Sequence, residues 1–346
     1  MITAANCPDK PRILNSIWAM AAGYFAAYVP YTMLTKGLSK GLLTASGKPA
    51  NGPVLLPISM YCSVAALLVF WISVGWWREA AQDSPWHIGG WPIPRPRPGT
   101  WLSGLCVAGI SATTTLAFTF DGVSIVMALL LMRGGVLLLA PLLDLLLGRR
   151  VARASWLGLV LTAAALTTSL VGARELQIPI ACRWVLATYL ACYGLRFWLM
   201  GRLAKSSDAH RNRRFFVEEQ LVGNGLLLLG LAGTAALGHG SLASDLRHGF
   251  TGLWGDGRQV AALVAMGLCS SATGMFGSLV LLDRRENTFC VPINRASSLL
   301  AGLCASWAMA WLFASAAPGA SELAAAGLLV AALAIVAWPQ AHPTAP

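Results

Sequence analysis

The stretch GVSIVMALLLMRGGVLLLAPLLDLLL, residues 122–147, is almost entirely apolar and contains two charged side chains, Arg133 and Asp144. A helix needs about 20 mostly apolar residues to cross the hydrocarbon core of a bilayer. The stretch is therefore long enough to span a membrane, and it would carry an arginine near the middle of the bilayer.

Stretches of this kind recur along all 346 residues, of which 56% are hydrophobic and 11% charged. An ordinary soluble domain has about 25% charged residues, so the composition excludes a soluble globular protein. The longest connection, from Arg78 to Gly99, carries the run PIPRPRP and is predicted to be an extended surface linker. We predict an all-α polytopic membrane protein with ten transmembrane helices, near residues 15–35, 53–77, 100–120, 122–147, 155–173, 181–203, 215–238, 259–282, 288–314 and 321–339.

The net charge of +11 does not indicate a nucleic-acid partner, because most of the surface of such a chain must meet lipid. Cytoplasmic loops of membrane proteins retain an excess of Lys and Arg. With the N-terminus inside, the inner segments carry fifteen of these residues and the outer segments seven. We therefore expect both termini, residues 1–14 and 341–346, to be cytoplasmic. Since the chain has no Asn-x-Ser/Thr acceptor, a bacterial inner membrane is the favoured location.

A repeated pattern divides the chain into two halves. The motif YFAAY at residues 24–28 matches YLACY at residues 189–193. Each half would then hold five helices, in residues 15–174 and 175–340. Because five is odd, the second half would enter the bilayer from the opposite side. The pattern therefore predicts an inverted repeat, which is the architecture of many secondary transporters.

The topology and two local motifs resemble the drug/metabolite transporter superfamily, in its EamA-like or chloroquine-resistance-transporter-like branch. The motifs are MRGG at residues 132–135 and LDLLLGRR at residues 143–150. The resemblance covers nearly the whole chain as topology. It implies ten helices in two inverted five-helix repeats and a transport function, but it does not imply a particular cargo.

Two arginines are the strongest candidates for a binding site. Arg133 is predicted about twelve residues into its helix, or about 18 Å along the axis, and Arg295 occupies the same place in the second half. A charge at that depth costs at least ~2.5 kcal/mol, so each should face a cavity or a partner. We expect the two planar guanidinium groups to clamp a carboxylate or phosphate. Helix packing through backbone carbonyls or a carboxylate is the alternative.

Tyrosines accompany these arginines on two predicted helix faces. Each phenol offers an apolar ring and one hydrogen-bonding hydroxyl, which suits the enclosure of an organic anion. Packing between helices is the alternative role of these tyrosines. Arg196 would be either a third anion contact or a cation that extends to the membrane surface. The residues spaced i, i+4, i+7 on one face are Tyr24, Tyr28 and Tyr31, and on the other Tyr189, Tyr193 and Arg196.

Four further polar residues, Thr114, Ser271, Asn294 and Ser298, are predicted contacts of the substrate. For the hydroxyls, hydrogen bonds to their own backbone or to a neighbouring helix are an open alternative.

Acidic residues are sparse in the predicted spans. Glu218 and Glu219 lie near the cytoplasmic end of the seventh span, and Asp121 and Asp283 are predicted helix N-caps. No carboxylate falls at the predicted midplane, so exchange and facilitated movement stay open as alternatives to proton coupling.

The leading hypothesis is a secondary transporter of an anionic organic solute that works by alternating access. Alternatives are a flippase for a lipid-linked phosphate and an intramembrane lipid-modifying enzyme. We expect no enzyme, no catalytic residue, no metal site and no cofactor, since the histidines lie in loops or the tail. The expected partners are the anion and membrane lipids, with no nucleic acid, and the protein would be a monomer or homodimer.

Overall fold

The computed structural model describes residues 16–44, 47–82, 85–120, 123–146, 153–172, 179–203, 209–252, 256–283 and 287–341. Within these ranges, helices of 20 to 29 residues form the body of the protein. They are α1 (Ile17–Ser39), α2 (Gly52–Ser73), α4 (Pro98–Ala117), α5 (Ile125–Leu146), α6 (Arg153–Gly172), α7 (Ile180–Leu203), α8 (Ala209–Leu237), α10 (Gly257–Leu282), α11 (Asn287–Phe313) and α12 (Ala320–Ala341). Two short helices, α3 (Trp76–Ala80) and α9 (Ser241–Arg247), follow α2 and α8, and a π-helical turn at His248–Gly252 follows α9.

Five of the described helices are long and apolar enough to cross a membrane. They are α2, α4 and α10, together with His210–Leu237 of α8 and Cys290–Phe313 of α11. This fits an all-α membrane protein, as predicted from the composition. It does not show ten spans. α1 and α7 are not among these five helices, and the described apolar parts of α5, α6 and α12 are shorter, at Ile125–Leu139, Trp156–Thr168 and Ala320–Ile335. The predicted terminal segments 1–14 and 341–346, apart from Ala341 at the end of α12, and the predicted N-cap Asp121 lie outside the described residues.

The segment predicted to be a plain linker is instead partly folded. After α3, strands β1 (Trp86–Ile88) and β2 (Trp91–Ile93) pair antiparallel, with Trp86 opposite Ile93. The indole Nε1 of Trp77 donates to the carbonyl of Pro92 at 2.9 Å, which ties the hairpin to α3. The prolines did not exclude a strand here. Pro92 pairs with His87 in a two-stranded ribbon, in which both strands are edge strands and a missing N–H is tolerated.

Local sequence explains several helix ends. Proline lies in the first turn of α2 and of α4, where no intrahelical N–H bond is lost. The side chain of Asp256 caps α10 by accepting from the backbone N–H groups of Arg258 and Gln259, both at 3.1 Å. Asp283 directly follows the end of α10, and residues 284–286, between it and Asn287 of α11, lie outside the described residues. The N-cap role of Asp283 therefore stays a prediction.

The main packing contacts of the long helices correspond between the two halves of the chain. α1 packs on α10 and α11, and α7 packs on α4 and α5. α2 packs on α10, α8 packs on α4, and α5 and α11 pack on α6 and α12 respectively. Exchanging the set α1, α2, α4, α5, α6 with the set α7, α8, α10, α11, α12 leaves these pairings unchanged. The contacts α1–α11, α5–α11 and α5–α7 bring the arginine-bearing helices together at the centre.

Glycines allow close approach in two equivalent helix pairs. A Cβ on Gly267 of α10 would lie 2.5 Å from the carbonyl oxygen of Ser59 in α2. A Cβ on Gly104 of α4 would lie 2.6 Å from Cγ1 of Val222 in α8. Small residues at such contacts let the helix backbones pack closely, and they fix the positions of α4 and α8 beside the centre of the molecule.

Candidate functional site

The two predicted arginines occupy the same position on equivalent helices. Arg133 is the ninth residue of α5, and Arg295 is the ninth residue of α11. α5 begins at Ile125 rather than at the predicted residue 122, so Arg133 lies about 12 Å rather than about 18 Å along its axis, and Arg295 lies about 12 Å from Asn287. Arg133 is 2% exposed and Arg295 is 0% exposed. The predicted equivalence and burial of the pair are therefore present in the structure.

Arg133 is held by three tyrosine hydroxyls. Its Nη2 donates to Tyr28 at 2.8 Å and to Tyr24 at 3.3 Å, and its Nη1 donates to Tyr189. The guanidinium carbon also lies 5.4 Å from the centre of the Tyr28 ring, within the range of a cation–π contact. The phenols come from α1 and α7, so Arg133 joins these two helices to α5.

Arg295 has a different environment at the same depth. None of its three guanidinium nitrogens has a hydrogen-bond partner among the described residues. Its guanidinium carbon lies 4.4 Å from the centre of the Tyr193 ring and 5.9 Å from that of Phe197. Stacking on aromatic rings compensates only part of the cost of burying a charge. Arg295 therefore presents unused donors in the interior of the protein.

One aromatic row on α7 connects the two arginines. The rings of Tyr189 and Tyr193 lie 4.7 Å apart, and those of Tyr193 and Phe197 lie 5.5 Å apart. Arg133 lies against the first ring of this row, and Arg295 lies against the second. The two cations thus converge on neighbouring rings of the same helix face.

Tyr31, the third tyrosine predicted on the α1 face, does not bond either arginine. Its hydroxyl pairs with Oγ1 of Thr115 in α4 at 2.9 Å. Its ring packs edge-on against Tyr28, with the centroids 5.8 Å apart. Tyr31 thus supports the position of Tyr28 from the side.

Arg196 forms a buried ion pair that the sequence did not reveal. Its Nε and Nη2 donate to the two carboxylate oxygens of Glu219, at 2.9 and 2.6 Å. Nη2 also donates to the hydroxyl of Ser278 at 3.2 Å, and Ser103 donates to Glu219. Arg196 is 4% exposed and Glu219 is 0% exposed. The predicted extension of Arg196 to the membrane surface is therefore wrong, because a carboxylate from α8 holds it inside the protein.

One sequence signal could have indicated this ion pair. Glu219 falls inside the seventh apolar span, and a carboxylate in such a span requires a cation or a water-filled cavity. Glu218, the neighbouring residue, faces elsewhere. It accepts from Arg214 Nε at 2.6 Å and, at the first turn of α4, from the backbone N–H of Arg97 at 3.2 Å.

A cavity of about 70 Å³ lies beside this ion pair. Tyr24 and Tyr193 line it from the side of the two central arginines, and Arg196, Gln220 and Ser278 line it from the other side. Asn294, the residue before Arg295, also lines the cavity and donates from Nδ2 to the carbonyl of Gly277 at 3.0 Å. Four predicted site residues, Tyr24, Tyr193, Arg196 and Asn294, thus meet at one cavity.

The predicted hydroxyl contacts bond the backbone instead. Thr114 donates to the carbonyl of Ile110 at 2.7 Å, Ser271 to that of Leu268 at 2.8 Å and Ser298 to that of Arg295 at 3.0 Å. Thr273, rather than Ser271, lines the cavity from α10. Backbone bonding of Ser and Thr within helices is common. These three hydroxyls are therefore not free to donate to a ligand in this structure.

No family and no curated protein matches the chain. A solved structure described only as "Crystal structure of protein" is similar with a TM-score of 0.51 and 17% sequence identity, over 94% of this chain and 97% of that chain. The similarity shows a shared fold along nearly the whole chain and does not identify an activity. Membership of the drug/metabolite transporter superfamily stays a prediction.

Proposed function

We propose that the protein is a secondary transporter of an organic anion that carries a carboxylate or phosphate group. The observation that carries the proposal is the pair of buried arginines, Arg133 and Arg295, for which the described residues provide no carboxylate partner. A buried cation without a counter-ion is costly. An anion that enters the centre of the protein would supply the missing negative charge.

The unused donors give the site its preference for anions. Arg295 can offer two parallel N–H groups, which match the spacing of two oxygens of a carboxylate or phosphate. The phenol rings of Tyr24 and Tyr193 and the amide of Asn294 would surround the rest of the solute at the cavity. In this arrangement the arginines fix the charged group, and the aromatic rings accommodate the organic body.

The proposed architecture is ten transmembrane helices in two inverted five-helix repeats, as in the drug/metabolite transporter superfamily. The helix pairings support it, because they are unchanged when the two halves are exchanged. The shared ninth position of Arg133 and Arg295 supports it independently. Such a repeat gives a pseudo-two-fold axis in the membrane plane with a binding site at the repeat interface, and Arg133 and Arg295 would lie at that interface.

Alternating access follows from this symmetry. In the proposed cycle the two halves rock about the central site, which opens first to one side of the membrane and then to the other. Binding of the anion screens the repulsion between the two buried cations, so the occluded form is favoured when the site is loaded. The distribution of Lys and Arg supports cytoplasmic termini, and a bacterial inner membrane is the proposed location.

The test is uptake by proteoliposomes that contain the purified protein. Radiolabelled succinate, citrate and glucose 6-phosphate are the probes, and Arg295→Met is compared with Arg258→Gln, which removes an exposed cation outside the site. We expect the wild type and Arg258→Gln to take up at least one of these anions and Arg295→Met to take up none. Equal uptake by Arg295→Met would contradict the proposed site. Binding of a lipid-linked phosphate alone, with no soluble anion bound, would favour a lipid flippase.

A further inference from the structure

Two adjacent carboxylates on α8 point to different parts of the protein. Glu218 bonds Arg214 and the first turn of α4. Glu219 is fully buried and bonds Arg196 through both oxygens. Because both residues are glutamates on the same helix, replacement of Glu218 is a matched control for replacement of Glu219.

Arg196 belongs to both the ion pair and the proposed binding site. Its side chain lines the cavity together with Tyr193, three residues earlier on α7, whose ring carries Arg295. An anion in this cavity would therefore meet Arg196, while Arg295 lies against the Tyr193 ring that lines the cavity. The anion would compete with the Glu219 carboxylate for the same guanidinium donors.

We propose that Glu219 is the proton-binding site of the transporter, and that the solute anion displaces it from Arg196. This inference rests on the proposed transport of an anion. A buried carboxylate that loses its cation is much less stable in the charged form than in the protonated form. When the anion takes over Arg196, Glu219 therefore binds a proton.

The groups that surround Glu219 favour this exchange. From α7 only Arg196 supplies a cation to it, among the described contacts, and from α4 Ser103 supplies a hydroxyl and Cys106 a thiol nearby. From α10 the hydroxyl of Ser278 accepts from the same Arg196 nitrogen. Serine hydroxyls can donate to a carboxylate or accept from a carboxylic acid, so they can accommodate both forms of Glu219.

The proton balance defines the transport mode. On the side where the site is open, water supplies one proton to the Glu219 carboxylate, which becomes a carboxylic acid, while the anion binds to Arg196 and Arg295. On the other side the anion leaves, the acid returns its proton to water, and the ion pair with Arg196 forms again. Anion and proton thus cross the membrane in the same direction.

The experiment counts the protons that accompany anion binding. Isothermal titration of the detergent-solubilised protein is carried out in two buffers with different ionisation enthalpies, with the tightest-binding anion among succinate, citrate and glucose 6-phosphate as the probe. At about pH 8 these probes are fully ionised. We expect the wild type and Glu218→Gln to take up about one proton per anion, and Glu219→Gln to bind the anion with no proton uptake.

A second variant guards against misfolding of Glu219→Gln, which leaves Arg196 unpaired. The double variant Arg196→Gln/Glu219→Gln removes both charges, and it should still bind the anion through Arg295 without proton uptake. Binding by the wild type with no proton uptake, or unchanged uptake in Glu219→Gln, would overturn the inference and leave the proposed transport intact. Absence of binding for all three anions would overturn the transport proposal itself, and this inference with it.

Discussion

Arg133 and Arg295 have the same residue type, the same helix position and the same burial, yet their donors are used differently. Arg133 donates to hydroxyls of Tyr24, Tyr28 and Tyr189, whereas the nitrogens of Arg295 have no partner among the described residues. The first arginine is thus part of the packing between α1, α5 and α7. The second has a charge that its surroundings leave uncompensated.

This difference separates two roles that the sequence pattern treats as one. In the proposed transporter, Arg295 is the principal ligand of the anion because its donor fork is unused. Arg133 positions the tyrosines and adds positive charge to the site. The comparison predicts effects of different size, and for stability of opposite sign, when equivalent residues are replaced.

The largest effect, on anion affinity, is expected for Arg295→Met. Loss of the fork should weaken anion binding by about 100-fold or more, since hydrogen bonds to charged groups contribute about 1.5–3 kcal/mol each. The same change should raise the thermal unfolding temperature of the anion-free protein, because it replaces a buried uncompensated charge with an apolar side chain. Titration calorimetry and thermal unfolding measure the two effects. A lower unfolding temperature would show that Arg295 contributes to packing as Arg133 does.

Arg133→Met should affect stability in the opposite direction. It leaves the buried hydroxyls of Tyr24, Tyr28 and Tyr189 without the donor that they share, at a cost of about 1–3 kcal/mol for a buried polar group left unpaired. We expect a lower thermal unfolding temperature in the absence of anion. An increase equal to that of Arg295→Met would remove the distinction between the two arginines.

A smaller difference is expected between two tyrosine variants. Tyr28→Phe removes the acceptor of a 2.8 Å bond from Arg133 and should destabilise the protein by about 1–2 kcal/mol. Tyr193→Phe keeps the ring on which Arg295 stacks and should destabilise the protein less than Tyr28→Phe. Thermal unfolding of the two variants side by side tests the contrast. Equal destabilisation would mean that the Tyr193 hydroxyl is as important as that of Tyr28.

The smallest effect is expected for Thr114→Val. The Thr114 hydroxyl donates to the carbonyl of Ile110 in its own helix, and that carbonyl is also available for a helical backbone bond. We expect anion affinity to be unchanged and stability to change by less than about 0.5 kcal/mol. A tenfold loss of anion affinity in titration calorimetry would indicate that Thr114 contacts the bound anion.

Much of the helical framework could be predicted from the sequence, because apolar stretches long enough to cross a bilayer are visible residue by residue. The equivalent places of Arg133 and Arg295 followed from the same pattern. The hairpin at Trp86 and Trp91 could not be predicted, since three-residue strands leave no periodicity to recognise.

The partners of the arginines could not be predicted for a different reason. Spacing along α7 places Tyr189, Tyr193 and Arg196 on one face, but it does not indicate which face of α8 lies opposite. The pairing of Arg196 with Glu219 rather than Glu218 depends on the rotation of α8 about its axis. That rotation is fixed by contacts between helices, such as the approach of Gly104 to Val222.

The depth of the two arginines has an electrical consequence. Moving one elementary charge across a membrane potential of ~100 mV changes its electrostatic energy by about 2.3 kcal/mol. In the proposed transporter, the anion-free site carries positive charge that the described residues leave uncompensated, so any rocking that moves Arg133 and Arg295 through part of the field performs electrical work. Because Glu219 is protonated in the loaded form, an anion cancels this work only if it also neutralises Arg196. The membrane potential would therefore act on the empty site, and it would act less on the loaded site the more negative charge the anion carries.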